Sequence, residues 1–144
     1  MLDHLWNTET LDFVHDGCEA NRVEKVGRLS DCDIALDNLR VCWKNHDSSY
    51  NCGRCEKCLR TMINLKVHNA LDRCTTFDQE LDIRRVSRIS VKKRATRVLM
   101  QQNLDALNES QGNEELKGAL RQALNRPLWV AKTRKRMKKM LKIR

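Results

Sequence analysis

Four cysteines that lie close together in the sequence constrain this chain more than any other feature. They are Cys42, Cys52, Cys55 and Cys58, and they are separated by nine, two and two residues. Thiolates at this density are typical of a tetrahedral metal site, and Gly53 permits the tight turn that brings neighbouring sulfurs onto one ion. The spacing therefore predicts that these four side chains bind a metal.

Structural zinc is the metal we expect, because four thiolates close the coordination shell and leave no position open for a substrate. An iron–sulfur cluster is the alternative, since repeated two-residue gaps also occur in ferredoxin-type sequences. His46, in the loop that follows Cys42, is an alternative ligand. A zinc ion with four thiolates is formally negative, and we expect nearby cations to offset that charge. The cations within a few positions of the ligands are Arg40, Lys44, Arg54, Lys57 and Arg60.

The cellular compartment is predicted from the cysteines and from the absence of apolar segments. The chain has seven cysteines, no secretory signal at its start and no apolar stretch of membrane-spanning length, which favours a reducing cytoplasmic location. Cys18, Cys32 and Cys74 are interpreted as small buried residues without a chemical role.

The net charge of +9 is concentrated at the C-terminal end. The segment from Lys132 to Arg144 has eight basic residues and no acidic one, and without it 20 basic residues face 19 acidic ones. Such a tail acts on anionic partners without implying that the body binds nucleic acid.

The hydrophobic pattern predicts an α/β fragment, mainly helical, with two short strands and four or more helices around a four-cysteine zinc site. The strands are expected at Leu11–Val14 and at Leu39–Trp43, the second of which delivers Cys42. Thr75 and Thr76 resemble the cap of a further helix. The expected helices span residues 19–29, 54–71, 90–107 and a segment that Asn113 caps and Pro127 ends, followed by a basic amphipathic helix over 128–144. We divide the chain into a zinc-bearing part (1–77), a helical extension (78–127) and the basic tail (128–144).

The cysteine segment resembles a known family. Leu39-Arg-Val-Cys-Trp, followed by Tyr50-Asn-Cys-Gly-Arg-Cys-Glu-Lys-Cys-Leu-Arg, resembles the C-terminal zinc motif of PP-loop ATP pyrophosphatases of the adenine nucleotide alpha-hydrolase superfamily, in particular 7-cyano-7-deazaguanine synthases of queuosine biosynthesis. Upstream, Arg22-Val-Glu-Lys-Val is similar to a family helix start, with Arg22 in place of a lysine and Glu24 on the glutamate. The resemblance covers about residues 5 to 77.

The resemblance implies that the zinc is structural and lies near the substrate end of the enzyme. Family members use ATP to adenylate a carboxyl group, so that ammonia can displace it and a nitrile forms on a deazapurine. Their ATP-binding Ser-Gly-Gly-x-Asp-Ser loop has no counterpart here, because the chain contains no Gly-Gly pair. We therefore expect a C-terminal portion that is not catalytic alone and whose ATP-binding PP-loop domain or subunit is supplied separately. Arg22 or Lys25 would then contact substrate or phosphate, or be exposed charges on a helix.

Two other classes of function stay open. A nucleic-acid-binding zinc module would use the basic residues around the cysteines and the tail on phosphates, with Trp43 or Tyr50 stacking on bases. Against it, aromatic residues make up only 4% of the chain. In the other class, the segment from Lys132 to Arg144 docks on an anionic membrane surface, with Trp129 at the interface. The alternative for this segment is a solvated helix that covers the body through Met137 and Leu141.

Overall fold

The computed structural model describes residues 3–14, 16–42 and 49–127, and within them all regular structure is helical. Six α-helices follow one another in these described ranges, and short 3-10 helices occur at Asp3–Trp6 and Leu71–Arg73. The α-helices are α1 (Arg22–Ser30), α2 (Asp33–Asp37), α3 (Glu56–Val67), α4 (Ile83–Val86), α5 (Arg94–Glu109) and α6 (Glu114–Asn125). The expected α/β class is therefore wrong for the described residues, since neither predicted strand forms there.

The first predicted strand, Leu11–Val14, is irregular and exposed. Leu11, Phe13 and Val14 all lie at the surface, with Val14 84% exposed. The Asn7 side chain fixes this segment instead, accepting from the Phe13 N–H at 2.8 Å. Apolar residues form a strand only where a partner strand takes up their backbone groups, and none lies beside this segment in the described structure.

The second predicted strand is also absent over Leu39–Val41 and Cys42, and Trp43 lies outside the described residues. Here a side chain does what a neighbouring strand would do. The Asn51 amide accepts hydrogen bonds from the Val41 and Cys42 N–H groups at 2.9 and 3.1 Å and donates to the Leu39 carbonyl at 2.7 Å. Because these backbone groups are satisfied, the segment stays extended without a ladder.

Helix α1 begins three residues later than predicted, at a capping box. The Asn21 side chain accepts from the Val23 and Glu24 N–H groups, and Glu24 accepts from the Asn21 N–H at 2.7 Å. Val23 and Val26 are buried as expected, whereas Leu29 is exposed. The glutamate that matches the family motif thus stabilises the helix start.

Helix α3 is the centre of the molecule. All eight residues from Cys58 to Leu65 are buried, rather than the single apolar stripe that the sequence predicts. Leu59 and Ile63 belong to a larger apolar cluster with residues of α4, α5 and α6. Leu65 belongs to a smaller one with Val26, Leu36, Ala70 and Cys74. Burial on all sides is expected of a helix that packs against several others.

The prediction from sequence agrees best with the structure at helix α6. The predicted α6 face is buried throughout, at Leu116, Ala119, Leu120, Ala123 and Leu124. Asn113 occupies the N-cap position as predicted, but in the left-handed region (φ 60°) and without a side-chain cap.

Thr75 and Thr76 do not cap a helix. Asp82 does so, accepting from the Arg85 N–H at 3.0 Å at the start of α4.

Several predictions concern residues outside the described ranges. They include His46, Lys44, Trp129 and the basic segment 128–144. Among the helices of the described ranges, none is both long and apolar enough to cross a membrane.

Candidate metal centre

The structure brings the four predicted ligands together. The Sγ atoms of Cys42, Cys52, Cys55 and Cys58 all lie within 4.8 Å of one another. Individual Sγ–Sγ distances are 4.0 Å for Cys42 and Cys55, 3.8 Å for Cys52 and Cys58, and 3.4 Å for Cys55 and Cys58. The four thiols are therefore positioned to hold a metal ion.

The start of α3 places two of the four sulfurs. Cys55 is the N-cap residue, and its Sγ accepts from the Cys58 N–H at 3.5 Å, so the free N–H groups of the first turn point towards sulfur. Gly53 has φ +60°, which confirms the predicted turn between Cys52 and Cys55. The positive end of the helix dipole favours thiolate at both positions.

Asn51 ties the first ligand to the other three. Its side chain holds the backbone of Cys42, and its Nδ2 also donates to the hydroxyl of Thr76 at 3.1 Å. Asn51 is only 3% exposed, and Cys42 and Thr76 are buried beside it. This network holds the Cys42 segment against the Cys52–Cys58 loop.

Burial opposes ionisation of the thiols. It raises the pKa of Cys58 well above the usual range, and the neighbouring Cys55 thiol raises it further, against a lowering contact from the Gly53 backbone. Burial likewise raises the pKa of Cys55, although the hydrogen bond from the Cys58 N–H opposes this. A divalent cation reverses that balance, because it binds thiolate and displaces the protons.

The predicted cations around the site are only partly available to offset the charge of thiolates, because three of them contact other side chains. Arg54, within the turn, donates to Gln79 at 3.1 Å. Arg60 is buried and pairs with Glu56 at 3.0 Å. Arg40 lies over the Tyr50 ring, 5.5 Å from its centroid, so that face of the ring packs against a guanidinium.

Arg22, which the family resemblance singles out, lies at the first position of α1. Burial and the nearby Arg60 guanidinium lower its pKa, while Glu56 raises it. Arg22 is thus close to the first turn of α3, which carries two of the predicted metal ligands. Lys25 is exposed on the second turn of α1.

The remaining cysteines do not join the centre in the described structure. Cys74 is buried as predicted, and its thiol donates to the Leu36 carbonyl at 3.3 Å. Cys18 and Cys32 are exposed, so their interpretation as buried residues is wrong. Sequence reasoning also missed Asn51, Thr76 and Gln79. The only sequence signal for Asn51 was its place directly before Cys52.

Comparison with known proteins returns no relative: no protein-family model, curated protein or solved structure matches this chain. What the site can do is therefore argued from its own geometry, and the resemblance to PP-loop enzymes stays a prediction.

Proposed function

We propose that the chain is the zinc-bearing C-terminal region of a PP-loop ATPase related to 7-cyano-7-deazaguanine synthase, with a structural rather than catalytic zinc ion. The observation that carries the metal-binding part is the convergence of four Sγ atoms within 4.8 Å of one another. The family assignment rests on the cysteine motif and on the segment that begins at Arg22.

The sulfur distances favour a single ion. A tetrahedral zinc ion with Zn–S bonds of about 2.3 Å separates its sulfurs by about 3.8 Å, and the shorter distances here run from 3.4 to 4.0 Å. In a four-iron cluster each thiolate binds a different iron, so the sulfurs stand further apart around the cluster. A single four-coordinate ion therefore fits this arrangement better than a four-iron cluster, which supports the zinc proposal.

A structural role is favoured because the ligand set is closed and because the ligands join two segments of the chain. Four protein thiolates fill a tetrahedral shell and leave no site at which a metal-bound water could react. The ligands come from two segments that are nine residues apart in sequence, and one ion would join them at the N-terminus of the central helix. Such an ion stabilises the fold and holds the surface around α3 in place.

Elemental analysis and an absorption spectrum of the purified chain test the metal. We expect about one zinc per chain and no visible absorbance. The variant Cys55→Ser/Cys58→Ser should lose the metal together with cooperative unfolding. The matched control Cys18→Ser/Cys32→Ser removes two exposed thiols and should retain both. Iron with sulfide and visible absorbance would overturn the zinc proposal.

The family assignment needs a separate test. We expect a Ser-Gly-Gly-x-Asp-Ser loop to be encoded upstream of Met1 or in an adjacent gene. Co-expression of that product with this chain should then yield a zinc-dependent activity that releases pyrophosphate from ATP, while this chain alone releases none. A zinc-loaded chain with no such loop encoded nearby would contradict the PP-loop assignment and leave the structural zinc site intact.

A further inference from the structure

A second charged feature lies beside the cysteine centre. Between the Cys52–Cys58 loop and α4 there is a groove of about 400 Å³. Its lining includes four arginines from two parts of the chain, which are Arg54, Arg84, Arg85 and Arg88. Two buried apolar residues, Leu59 and Ile89, also line it. An apolar wall next to several cations strengthens their field on a bound anion.

The carboxylates in the groove do not cancel this charge. Glu56 pairs with the buried Arg60 at 3.0 Å, and Asp82 pairs with Arg85 at 2.9 Å. Arg84 and Arg88 are exposed and have no ion-pair partner among the described residues. Arg84 and Arg88 therefore line one concave site without pairing to a carboxylate of the described residues.

The basic character continues along the chain from the groove. Residues 83–104 contain seven Lys or Arg and no Asp or Glu, a run that the near-zero net charge of residues 1–131 conceals. Burial alternates from Arg88 to Lys92, so Ile89 and Val91 anchor the segment while Arg88, Ser90 and Lys92 are exposed. Lys93 and Arg94, which follow at the start of α5, are exposed as well. Exposed cations therefore follow one another along the chain from Arg88, which lines the groove, to the start of α5.

We propose that the arginine groove and the basic run 83–104 bind the phosphodiester backbone of single-stranded nucleic acid. Arginine forks match phosphate oxygens, and successive exposed cations suit a ligand that carries one phosphate per residue. A groove of about 400 Å³ has room for one strand rather than a duplex. None of the described residues that line it is aromatic, so the proposed contacts go to phosphates and the binding is independent of base sequence. A membrane surface fits less well, because it is flat and four of these cations line a concavity.

This inference does not depend on the PP-loop assignment, and it concerns a surface other than the basic tail. It is tested with the full zinc-loaded chain and a fluorescent uridine homopolymer about 20 nucleotides long. All variants keep the segment from Lys132 to Arg144, so any contribution of the tail is constant. We expect Arg84→Gln/Arg88→Gln to raise the Kd about tenfold and to reduce the slope of log K against log salt by about 1.4.

The control variant Arg28→Gln/Arg121→Gln removes the same formal charge from other exposed positions and should leave Kd and slope close to wild type. Arg84→Lys/Arg88→Lys keeps the charge and should retain most of the affinity. Equal losses in the two glutamine variants would overturn the proposal, because only total charge would then matter. It would also fail if Arg84→Gln/Arg88→Gln weakened binding to phosphatidylserine vesicles but not to the RNA.

Discussion

The side-chain oxygen of Asn51 lies 3.1 Å from the backbone nitrogen of Cys42 and accepts its hydrogen bond. Asn51 directly precedes the ligand Cys52, so one amide group joins the isolated first ligand to the loop that carries the other three. The amide nitrogen extends the connection to the backbone and hydroxyl of Thr76. The geometry of the centre is thus supported by a buried network of hydrogen bonds.

Asn51→Ala should weaken both the fold and the metal site. The substitution leaves the N–H groups of Val41 and Cys42 and the carbonyl of Leu39 without their present partners in a buried region. We expect a loss of about 3 kcal/mol in the free energy of unfolding and a fall of about tenfold or more in metal affinity. Denaturant titration and competition with a chromophoric chelator measure the two effects.

Asn38→Ala, which removes an exposed amide bonded to the Ile34 carbonyl, is the control and should change neither stability nor metal affinity much. Unchanged metal affinity in Asn51→Ala would contradict the positioning role.

The sequence predicted those features whose cause is local. The spacing of the cysteines was sufficient to identify the metal centre, because three ligands lie within seven residues. The burial pattern of α6 was also predictable, since apolar residues recur at intervals of three and four. The capping box of Asn21 and Glu24 was visible too, although the predicted helix start at Glu19 overlooked it.

The sequence predictions are wrong where contacts with residues far away in the sequence determine the local structure. Leu39 to Cys42 has the composition of a strand, but the atom that satisfies its backbone belongs to Asn51, and Asn51 is held by Thr76 from 25 positions further along. Cys18 and Cys32 were expected to be buried from residue type alone, but Cys18 lies in the turn before α1 and Cys32 at the N-cap of α2, and both are exposed. Propensity does not encode such contacts.

Gly27→Ala and Gly118→Ala should change stability in opposite directions. Both glycines lie inside helices, where alanine is intrinsically favoured by about 0.8 kcal/mol. A Cβ at Gly118 meets nothing within 4 Å, so that variant should gain about this amount. A Cβ at Gly27 lies 2.7 Å from the His68 ring, which is itself held 2.9 Å from the Val23 carbonyl. We expect Gly27→Ala to lose about 1–3 kcal/mol in urea denaturation.

The double variant Gly27→Ala/His68→Ala separates a steric clash from a backbone effect. Removal of the ring should make the alanine at position 27 much less costly than it is beside His68, giving a coupling free energy between the two positions. Additive losses would show that the close approach of α1 to His68 is not the cause.

Gly53→Ala should weaken metal binding through backbone strain. Gly53 has φ +60°, and a Cβ there makes only an ordinary contact with Gln79 at 3.5 Å, so the cost is conformational, about 1 kcal/mol. Gly112→Ala is a matched control, because Gly112 has φ +80° and open space around it, in the turn before α6. The backbone strain should cost both variants a similar amount of stability, while only Gly53→Ala also lowers metal affinity. Equal metal affinities would show that the Cys52–Cys55 turn tolerates a different backbone.

The stability contributed by Glu114 should disappear in acid. Lys117 has a side chain that is only 7% exposed, and its Nζ donates to Glu114 at 2.8 Å and to the Ser110 carbonyl at 3.0 Å. The hydrogen bond and charge of Lys117 lower the pKa of Glu114. A carboxyl group whose pKa is lower in the folded chain stabilises the fold fully above its unfolded pKa, and this stabilisation is lost as the pH falls through the folded value. Wild type should therefore have a higher Tm than Glu114→Gln at neutral pH, and the difference should shrink towards zero in acid. Glu115→Gln removes an exposed neighbour with no ion pair among the described residues, and its Tm should follow wild type throughout. A Tm difference for Glu114→Gln that stays constant down to strongly acidic pH would mean that the ion pair with Lys117 does not stabilise the start of α6.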